Sequence, residues 1–383
     1  MAVKHPYLTP EHDMFRQSLR GFLEAHAAPF FNQWEEERRI PKAFWRSMGE
    51  QGFLCPMMPE AYGGAGADFG FSVVVNEELE RIGSGMVGIG LHNDIVVPYL
   101  TSYGSEEQKR RWLPGCLSGE TITAIAMTEP GTGSDLAGIR TTAVRDGDQY
   151  VVNGQKTFIT NGIQAGLIVV VAKTDPAAEP RQRGFSLIVV PEDAPGFSRG
   201  RQLNKMGQHS QDTAELFFED CRVPASYLLG KEGEGFRYLA EKLQQERLLV
   251  AIAAQVAMEE ALAETLAYVK QRTAFGQPIG KFQNTRFKMA EMMTQSYVSR
   301  AFLDQLIARH MQQEDIVTEV SMAKWWSTDT AKAIIGECLQ LHGGYGYMEE
   351  YPVARRYRDI AVMSIYAGTN EIMKTIIAKN IGL

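Results

Sequence analysis

The order in which the hydrophobic periodicity changes along the chain constrains its fold most strongly. Over roughly the first third, apolar residues recur at helical spacing, as do Phe15, Leu19, Phe22 and Leu23. Between about 121 and 230 the pattern changes to β-branched runs separated by turn-forming pairs such as Asn153-Gly154. From Phe236 onward the helical spacing returns. The chain is therefore expected to run from helices to strands and back to helices.

This order predicts an α+β protein with three domains. They are an N-terminal all-α domain (1–120), a small antiparallel β-domain (121–230) and a C-terminal α-helical bundle (231–383). The bundle is expected to contain three long antiparallel helices, over 233–272, 283–312 and 315–342. The middle segment shows no strand–helix–strand unit, which argues against a Rossmann fold.

Charge and composition argue against several classes of function. The 383 residues include 46 acidic and 39 basic ones, giving a formal charge of −7, which argues against a general nucleic-acid binder. No apolar run is long enough to span a bilayer, so no membrane insertion is expected. The seven histidines show no metal-binding spacing, so no metal is expected.

The cysteines and the first residues predict a cytoplasmic protein. The cysteines are widely spaced and form no CxxC pair, which is typical of reduced thiols; they are Cys55, Cys116, Cys221 and Cys338. The stretch from Met1 to Pro6 has the features of neither a signal peptide nor an Arg-rich transit peptide.

The segment from Met127 to Asp135 combines turn residues with neutral hydrogen-bonding groups. Gly131 and Gly133 allow the backbone to approach a ligand closely, while Thr128 and Ser134 offer hydroxyls. This composition suits a polar, planar and partly phosphorylated ligand. An ordinary Pro-Gly turn between strands is the alternative for this segment taken by itself.

Three further motifs follow in order, and together with this segment they resemble the acyl-CoA dehydrogenase family of flavoenzymes. The motifs are Phe158-Ile159-Thr160-Asn161-Gly162, Arg272-Thr273-Ala274-Phe275-Gly276 and Tyr366-Ala367-Gly368-Thr369-Asn370-Glu371. The resemblance extends over nearly the whole chain. It implies that the chain oxidises a saturated acyl-CoA to the trans-2-enoyl-CoA with FAD, as a homotetramer whose electrons pass to an electron-transfer flavoprotein. An acyl-CoA oxidase that uses O₂ and a non-catalytic acyl-CoA or flavin-binding protein are the alternatives.

The resemblance also implies which residues contact FAD. They are Met127, Thr128, Gly133, Ser134, Phe158, Thr160, Arg272, Phe282, Gln283, Gln340, Gly343, Gly344, Thr369, Asn370 and Glu371. Phe158 stands where many relatives carry Trp, and without the resemblance a buried strand residue is the simpler expectation. Arg272, Phe282 and Gln283 match positions that often contact the FAD of a neighbouring subunit. A solvated helix end is the alternative for Arg272, and a helix C-cap is the alternative for Gly343-Gly344.

Abstraction of the substrate α-proton requires a general base, and the resemblance implies Glu246. In many relatives the base is a Glu within Tyr-Glu-Gly-Thr, but this chain has Ala367 there, which cannot accept a proton. A second subgroup, including the long-chain and isovaleryl types, carries its Glu in a Glu-Arg-Leu motif on an earlier helix, found here as Glu246-Arg247-Leu248. Glu246 also falls on the apolar face of its helix, three residues after Leu243 and four before Val250.

Burial on that face predicts a raised pKa for Glu246, which suits a base that works near neutral pH. A buried Glu paired with Arg or Lys is the alternative. The resemblance further implies that acyl-CoA contacts Ser134, Gln244, Arg247, Ala367 and Gly368, and that the backbone N–H of Ala367 holds the thioester oxygen. Small side chains after Glu246 lead us to expect a medium-chain, long-chain or branched acyl group; they are Ala251, Ala253, Ala254 and Ala257.

Overall fold

The chain folds into helical, β and helical regions in the predicted order. The computed structural model describes residues 5–83 and 87–383. Most of the N-terminal stretch used above to predict a cytoplasmic protein, Met1 to Lys4, lies outside the described residues. Within these ranges, no helix is both long and apolar enough to cross a membrane.

The first region is a set of helices with clear start signals. They are α1 (Pro10–His26), α2 (Phe31–Glu37), α3 (Lys42–Glu50), α4 (Phe69–Ile82), α5 (Val87–Gly90), α6 (Val97–Tyr103) and α7 (Glu106–Leu117). Pro10 occupies the first turn of α1, as its fixed φ favours. Ser105 caps α7 by accepting from the backbone N–H of Gln108, whose side chain accepts from Ser105 N in return. A π-helical segment, Leu91–Val96, joins α5 to α6.

The second region is a twisted sheet. Its strands are β1 (Thr123–Ala126), β2 (Thr142–Asp146), β3 (Gln149–Thr160), β4 (Leu167–Lys173), β5 (Phe185–Pro191), β6 (Phe197–Gln202), β7 (Thr213–Pro224) and β8 (Leu228–Leu229). The order is β6-β7-β3-β2-β4-β5-β8, with β1 also paired to β4. The sheet is not wholly antiparallel as predicted, because β4 runs parallel to both β1 and β2. The β2–β3 hairpin lies between β1 and β4 in sequence, which lets the chain return in the same direction.

The third region is the predicted helical bundle. Its elements are α8 (Gly235–Gln271), β9 (Thr273–Ala274), β10 (Gln277–Pro278), α9 (Gln283–Met311), α10 (Val317–His342), α11 (Pro352–Asp359) and α12 (Asn370–Asn380). The short β9–β10 hairpin was not predicted. Its two-residue loop, Phe275-Gly276, has positive φ at both residues (50° and 77°), as a tight hairpin turn requires.

Helix α8 lies at the centre of the molecule and joins the helical regions. Its Leu248 and Ala251 pack in one apolar cluster with Phe69 of α4 and residues of α9 and α10. A buried ion network ties the same helices together, since Arg300 of α9 donates to Glu77 of α4 at 2.8 Å. Both faces of α8 are therefore covered, which fixes the orientation of the polar side chains it carries.

Candidate active site

The loop after β1 is held by a buried carboxylate, Glu129. This carboxylate accepts hydrogen bonds from Arg140 N (2.7 Å), Thr141 N (2.9 Å) and Thr141 Oγ1 (2.5 Å). Lys156 of β3, whose side chain is 0% exposed, donates to Glu129 Oε1 at 3.0 Å and to the Met127 carbonyl at 2.9 Å. The loop is therefore clamped to β3 from beneath.

Electrostatics keep this pair ionised. Burial by itself would raise the pKa of Glu129, but Lys156 and the Thr141 and Arg140 donors outweigh it and leave the pKa below its usual value. Burial lowers the pKa of Lys156 to about 8, against the attraction of Glu129. At neutral pH both groups are therefore charged, and each neutralises the other.

Phe158 lies beside this loop and faces outward. The backbone N–H of Thr157 donates to the Thr128 carbonyl at 2.9 Å, which joins the loop to β3. A break in the pairing register between Lys156 and Ile159 places Phe158 at φ 59°, a left-handed conformation uncommon for an aromatic residue. Its side chain is 68% exposed, so the expectation of a buried strand residue is wrong.

The structure thus brings the first group of predicted flavin contacts to one edge of the sheet. They are Met127, Thr128, Gly133 and Ser134 on the loop and Phe158 and Thr160 on β3. Gly133 and Ser134 are exposed, and a Cβ added to Gly131 or Gly133 would meet no atom within 4 Å. Open backbone beside an exposed aromatic ring leaves room for a planar ligand.

Glu246 of α8 is a buried carboxylate with few partners. It is 4% exposed, and the hydroxyl of Tyr99 on α6 donates to its Oε1 at 2.9 Å. Burial raises the pKa of Glu246 to about 7, although Tyr99, Arg247 and Lys242 favour the ionised form. Across residues 5–83 and 87–383, no Lys, Arg or His nitrogen lies within 4.0 Å of a carboxylate oxygen of Glu246, so Glu246 forms no ion pair there. The structure therefore gives no support to the alternative of a structural Glu–Arg or Glu–Lys pair.

The Ala367-Gly368 turn is held by a buried lysine of α10. Both residues have positive φ, 51° and 88°. Lys324 donates to the Gly368 carbonyl at 2.7 Å and to Asn370 Oδ1 at 3.1 Å. Thr369 caps α12 by accepting from Ile372 N at 3.3 Å. The turn is therefore fixed from both of its ends.

Residues of α8 lie close to this turn. Burial and then the charge of Arg247 lower the pKa of Lys324 to about 8, which places the two cations near each other. Among the described residues, the buried Nε of Arg247 has no hydrogen-bond partner. Val250, one turn beyond Glu246, belongs to the apolar cluster against which Ala367 packs. The structure thus places Arg247 and Val250, which flank Glu246 on α8, close to the Ala367-Gly368 turn.

Several predicted residues lie elsewhere or use their polar groups internally. Gln244 turns toward the α9–α10 connection, where its amide donates to Glu314 O (3.0 Å) and accepts from Ile316 N (2.9 Å). Its predicted contact with acyl-CoA therefore has no structural support. Asn370 is buried, with its amide bonded to α10, whereas Glu371 is exposed.

A second group of predicted residues surrounds a separate cavity of about 540 Å³ at the end of α8 and α10. Its lining includes Arg272, Gln340, Gly343 and Gly344. Gly343 also ends α10 at φ 60°, so it is a helix cap as well as a lining residue. Phe282 and Gln283 lie at the start of α9 and are not among the lining residues.

Three buried residues of these sites were missed from the sequence. The sequence pattern could have indicated that two of them are buried. Lys156 has the same parity along β3 as the inward-facing Tyr150 and Val152, and Lys324 lies on the buried face of α10. No sequence pattern could have indicated the role of Tyr99, because its partner Glu246 is 147 positions away.

Comparisons with known proteins agree with this arrangement. Family models for the acyl-CoA dehydrogenase N-terminal, middle and C-terminal domains match residues 9–120, 124–221 and 233–382. The long-chain specific acyl-CoA dehydrogenase, mitochondrial, of Sus scrofa is 46% identical over 371 residues, 97% of this chain and 86% of that protein. A crystal structure of an acyl-CoA dehydrogenase from Geobacillus kaustophilus is 64% identical, with a TM-score of 0.98, over 99% of this chain and 100% of the other.

A third comparison concerns the cofactor. The structure of a glutaryl-CoA dehydrogenase from Mycobacterium smegmatis in complex with FADH2 is 30% identical, with a TM-score of 0.91, over 98% of this chain and 95% of the other. The chain therefore belongs to the acyl-CoA dehydrogenase family, whose members are FAD-dependent enzymes. The exposed Phe158 ring, the open glycine loop and the cavity beside Arg272 fit a flavin nucleotide.

Proposed function

We propose that this chain converts a saturated acyl-CoA to the trans-2-enoyl-CoA with Glu246 as the general base. The observation that carries the proposal is a buried carboxylate with a raised pKa, located near the Ala367-Gly368 turn, to which one side chain of the described part of the protein donates a hydrogen bond. A base with a pKa of about 7 is ionised for much of the time at neutral pH and still holds an abstracted proton well.

The proton and the developing charge are handled by this chain's own residues. Glu246 takes the α-proton of the thioester. The backbone N–H of Ala367 donates to the thioester oxygen, and a backbone donor functions equally well with any side chain. Lys324, which donates to the Gly368 carbonyl, and Arg247 close to it would add positive charge on this side of the site. When bound, FAD supplies the acceptor for the β-hydride, which no side chain can provide.

The proposed FAD contacts lie at the sheet edge, after the Ala367-Gly368 turn and around the cavity beside Arg272. At the sheet edge, the hydroxyls of Thr128, Ser134 and Thr160 would hydrogen-bond the ring system while Phe158 packs against it. Thr369, Asn370 and Glu371 follow the Ala367-Gly368 turn and keep their proposed place near the flavin. The cavity group around Arg272 and Gln340 would bind the FAD of a neighbouring subunit, with Phe282 and Gln283 nearby.

The test of this proposal is the variant Glu246→Gln. The amide keeps the size of the side chain but cannot accept the proton, so flavin reduction in stopped flow should slow by at least about a hundredfold. FAD content and acyl-CoA binding should hardly change. Glu241→Gln, on the same helix but with a 45% exposed side chain, is the matched control and should behave like the wild type. Wild-type flavin reduction in Glu246→Gln would show that Glu246 is only structural and that another group is the base.

The acyl chain is proposed to be medium, long or branched. The likeness to the long-chain specific relative supports this, whereas the alanines after Glu246 do not. Ala251, Ala254 and Ala257 are fully buried in the apolar clusters between helices, so their small size lets the helices approach. A kcat/KM series from butyryl-CoA to palmitoyl-CoA, with isovaleryl-CoA included, tests the proposal; a maximum at butyryl-CoA would contradict it.

A homotetramer is proposed from the family resemblance and from the exposed apolar surface. Phe275 at the β9–β10 tip is 95% exposed, and α9 exposes Phe287, Tyr297 and Val298. Light scattering should give about four times the 42.7 kDa mass of the chain. A monomer at micromolar concentration would contradict this.

An electron-transfer flavoprotein is proposed as the physiological acceptor of electrons from the reduced enzyme. Membership of the acyl-CoA dehydrogenase family supports this proposal. The reduced enzyme should react quickly with this partner or with a dye and slowly with O₂. Stoichiometric peroxide from each turnover in air would favour the oxidase instead.

The remaining proposals concern location and boundaries. A cytoplasmic location is supported by four buried cysteines that are all free thiols. The domain boundaries at 120/121 and 230/231 are supported by the first residues of β1 and α8, Thr123 and Gly235.

A further inference from the structure

Tyr99 is the one side chain that forms a hydrogen bond with Glu246 among the residues that the structure describes. Its ring is 0% exposed, and it lies on α6 within the large apolar cluster of the N-terminal and β regions. Its hydroxyl donates to Glu246 Oε1 at 2.9 Å. No described donor bonds to the second oxygen, Oε2, which leaves that oxygen available for a proton.

We propose that Tyr99 is a positioning residue for the catalytic base: it holds one oxygen of Glu246 and leaves the other to face the substrate α-proton. This inference rests on the proposed function, because it presumes that Glu246 is the base. A carboxylate on a flexible side chain has several rotamers, and a single fixed hydrogen bond selects among them. The contact also links α6 to α8, so the position of the base depends on how these helices pack.

The hydrogen bond also affects the pKa of the base. Burial raises the pKa of Glu246 to about 7, and Tyr99 opposes that rise because it donates to the ionised form. The pKa of the Tyr99 phenol lies well above its usual value through burial and then the Glu246 charge, so the hydroxyl stays protonated and remains a donor.

Other charged groups around Glu246 are few. Its own helix contributes Arg247 and Lys242, and α10 contributes Lys324 beyond Arg247. On α9, burial lowers the pKa of His310 to about 4, so this group is neutral at working pH.

The π-helical segment between α5 and α6 contributes one more titratable group, Asp94. Its carboxylate accepts from Asn76 of α4 at 2.8 Å and therefore faces α4. Removing the Tyr99 hydroxyl should therefore act on Glu246 without a compensating donor.

The experiment compares Tyr99→Phe with Tyr103→Phe in the reductive half-reaction. Tyr103 lies one turn further along α6, and its hydroxyl donates to Glu241 instead of Glu246, which makes it a matched control. Wild-type flavin reduction should accelerate as pH rises through about 7, where Glu246 ionises. In Tyr99→Phe this rising limb should move up by about one to two pH units, the effect of losing a hydrogen bond to a charged group.

The rate on the high-pH plateau should also fall, by about tenfold, because the freed carboxylate is less well oriented. Acyl-CoA affinity and FAD content should stay at wild-type values, and Tyr103→Phe should match the wild type in every respect. The same limb and the same plateau in Tyr99→Phe as in the wild type would overturn the inference.

A second variant tests the opposite direction without removing the hydroxyl. Replacement of Tyr99 by 3,5-difluorotyrosine makes the phenol a stronger donor and should move the rising limb to lower pH. This result decides the matter even if Tyr99→Phe folds poorly, and an unmoved limb would overturn the inference. The two proposals also fail differently: active Glu246→Gln rejects the base, whereas inactive Glu246→Gln with an unaltered Tyr99→Phe rejects only the positioning role.

Discussion

Two buried glutamates, one under the β-domain loop and one on the central helix, have opposite surroundings. Glu129 accepts from two backbone N–H groups, the Thr141 hydroxyl and the Lys156 ammonium, and its pKa lies below its usual value. Glu246 is similarly buried but, within residues 5–83 and 87–383, accepts only from Tyr99, and burial raises its pKa to about 7. The apolar helical face of Glu246 predicted its burial and raised pKa, whereas nothing in the sequence around Glu129 indicated the donors that surround it.

The difference shows how a fold gives two buried carboxylates opposite pKa shifts. A carboxylate that is bonded to a cation and to further donors stays ionised and holds the chain in place. A carboxylate with one donor bears most of the desolvation penalty, and its higher pKa makes it a better proton acceptor. Glu77, bonded to Arg300 and Arg16, belongs to the first kind, because these cations outweigh burial and lower its pKa to about 2.

The largest expected effect is on stability in the β-domain. Glu129→Gln leaves the Lys156 ammonium buried without a counter-charge, and the free energy of unfolding should fall by about 3–5 kcal/mol. The loop after β1 should also become more mobile, because Glu129 holds it to Lys156. Since this loop is proposed to contact FAD, the cofactor should be lost during gel filtration. Urea unfolding and the flavin absorbance measure these effects. Glu192→Gln, which removes an exposed partner of Arg199, is the control and should change little. If the free energy of unfolding fell by less than about 1 kcal/mol in Glu129→Gln, Glu129 would not be the structural carboxylate that the comparison with Glu246 requires.

The next effect concerns the position of the base. In the double variant Glu246→Gln/Ala367→Glu, a carboxylate returns at the position that other relatives use. Some flavin reduction should return relative to Glu246→Gln, because both backbones approach the same substrate carbon. The rate should stay about a hundredfold or more below the wild type, since about 1 Å of misplacement costs that much. Stopped flow measures it, and a double variant no faster than Glu246→Gln would show that the two positions are not equivalent.

A pH-dependent stability difference should follow from the raised pKa of Glu246. The folded-state pKa is about 7 and the unfolded one about 4.3, so the folded protein binds the extra proton between these values. In the wild type, the protonated Glu246 therefore adds to the free energy of unfolding below about pH 4, and this contribution is lost as pH rises toward 7. Glu246→Gln avoids this loss, so its stability relative to the wild type should increase by about 2–3 kcal/mol between pH 5 and pH 8. Urea unfolding at several pH values tests this, and a constant difference would mean an ordinary pKa.

The smallest expected effect is at the exposed ring. Phe158→Ala removes the aromatic surface proposed to pack on the flavin, which should weaken FAD binding by about 0.5–1.5 kcal/mol, or about two- to tenfold. Phe158→Tyr keeps the ring and serves as the control. Fluorescence titration of FAD-free protein gives both Kd values. Equal affinity in all three proteins would place the flavin elsewhere.

Much of the architecture could be predicted because it depends on local pattern. The predicted bounds of α8, α9 and α10 differ from the observed ones by a few residues at most, since helical periodicity and capping are properties of neighbouring positions. The parallel pairing of β4 with β1 and the β9–β10 hairpin were not predicted. Strand direction depends on how a distant segment returns, and a two-residue strand is too short to show alternation.

The sequence by itself determined the family, the three successive regions and the position of Glu246 on an apolar helical face. Only the tertiary structure decided which donors and charges surround that carboxylate. Tyr99 and Glu246 are 147 positions apart, and Lys324 meets Gly368 across 44 positions. A pKa depends on burial and on which donors reach the group. Those donors come from segments whose packing no local pattern encodes, so the same residue type has four hydrogen bonds and a lowered pKa at 129 but one donor among the described residues and a raised pKa at 246.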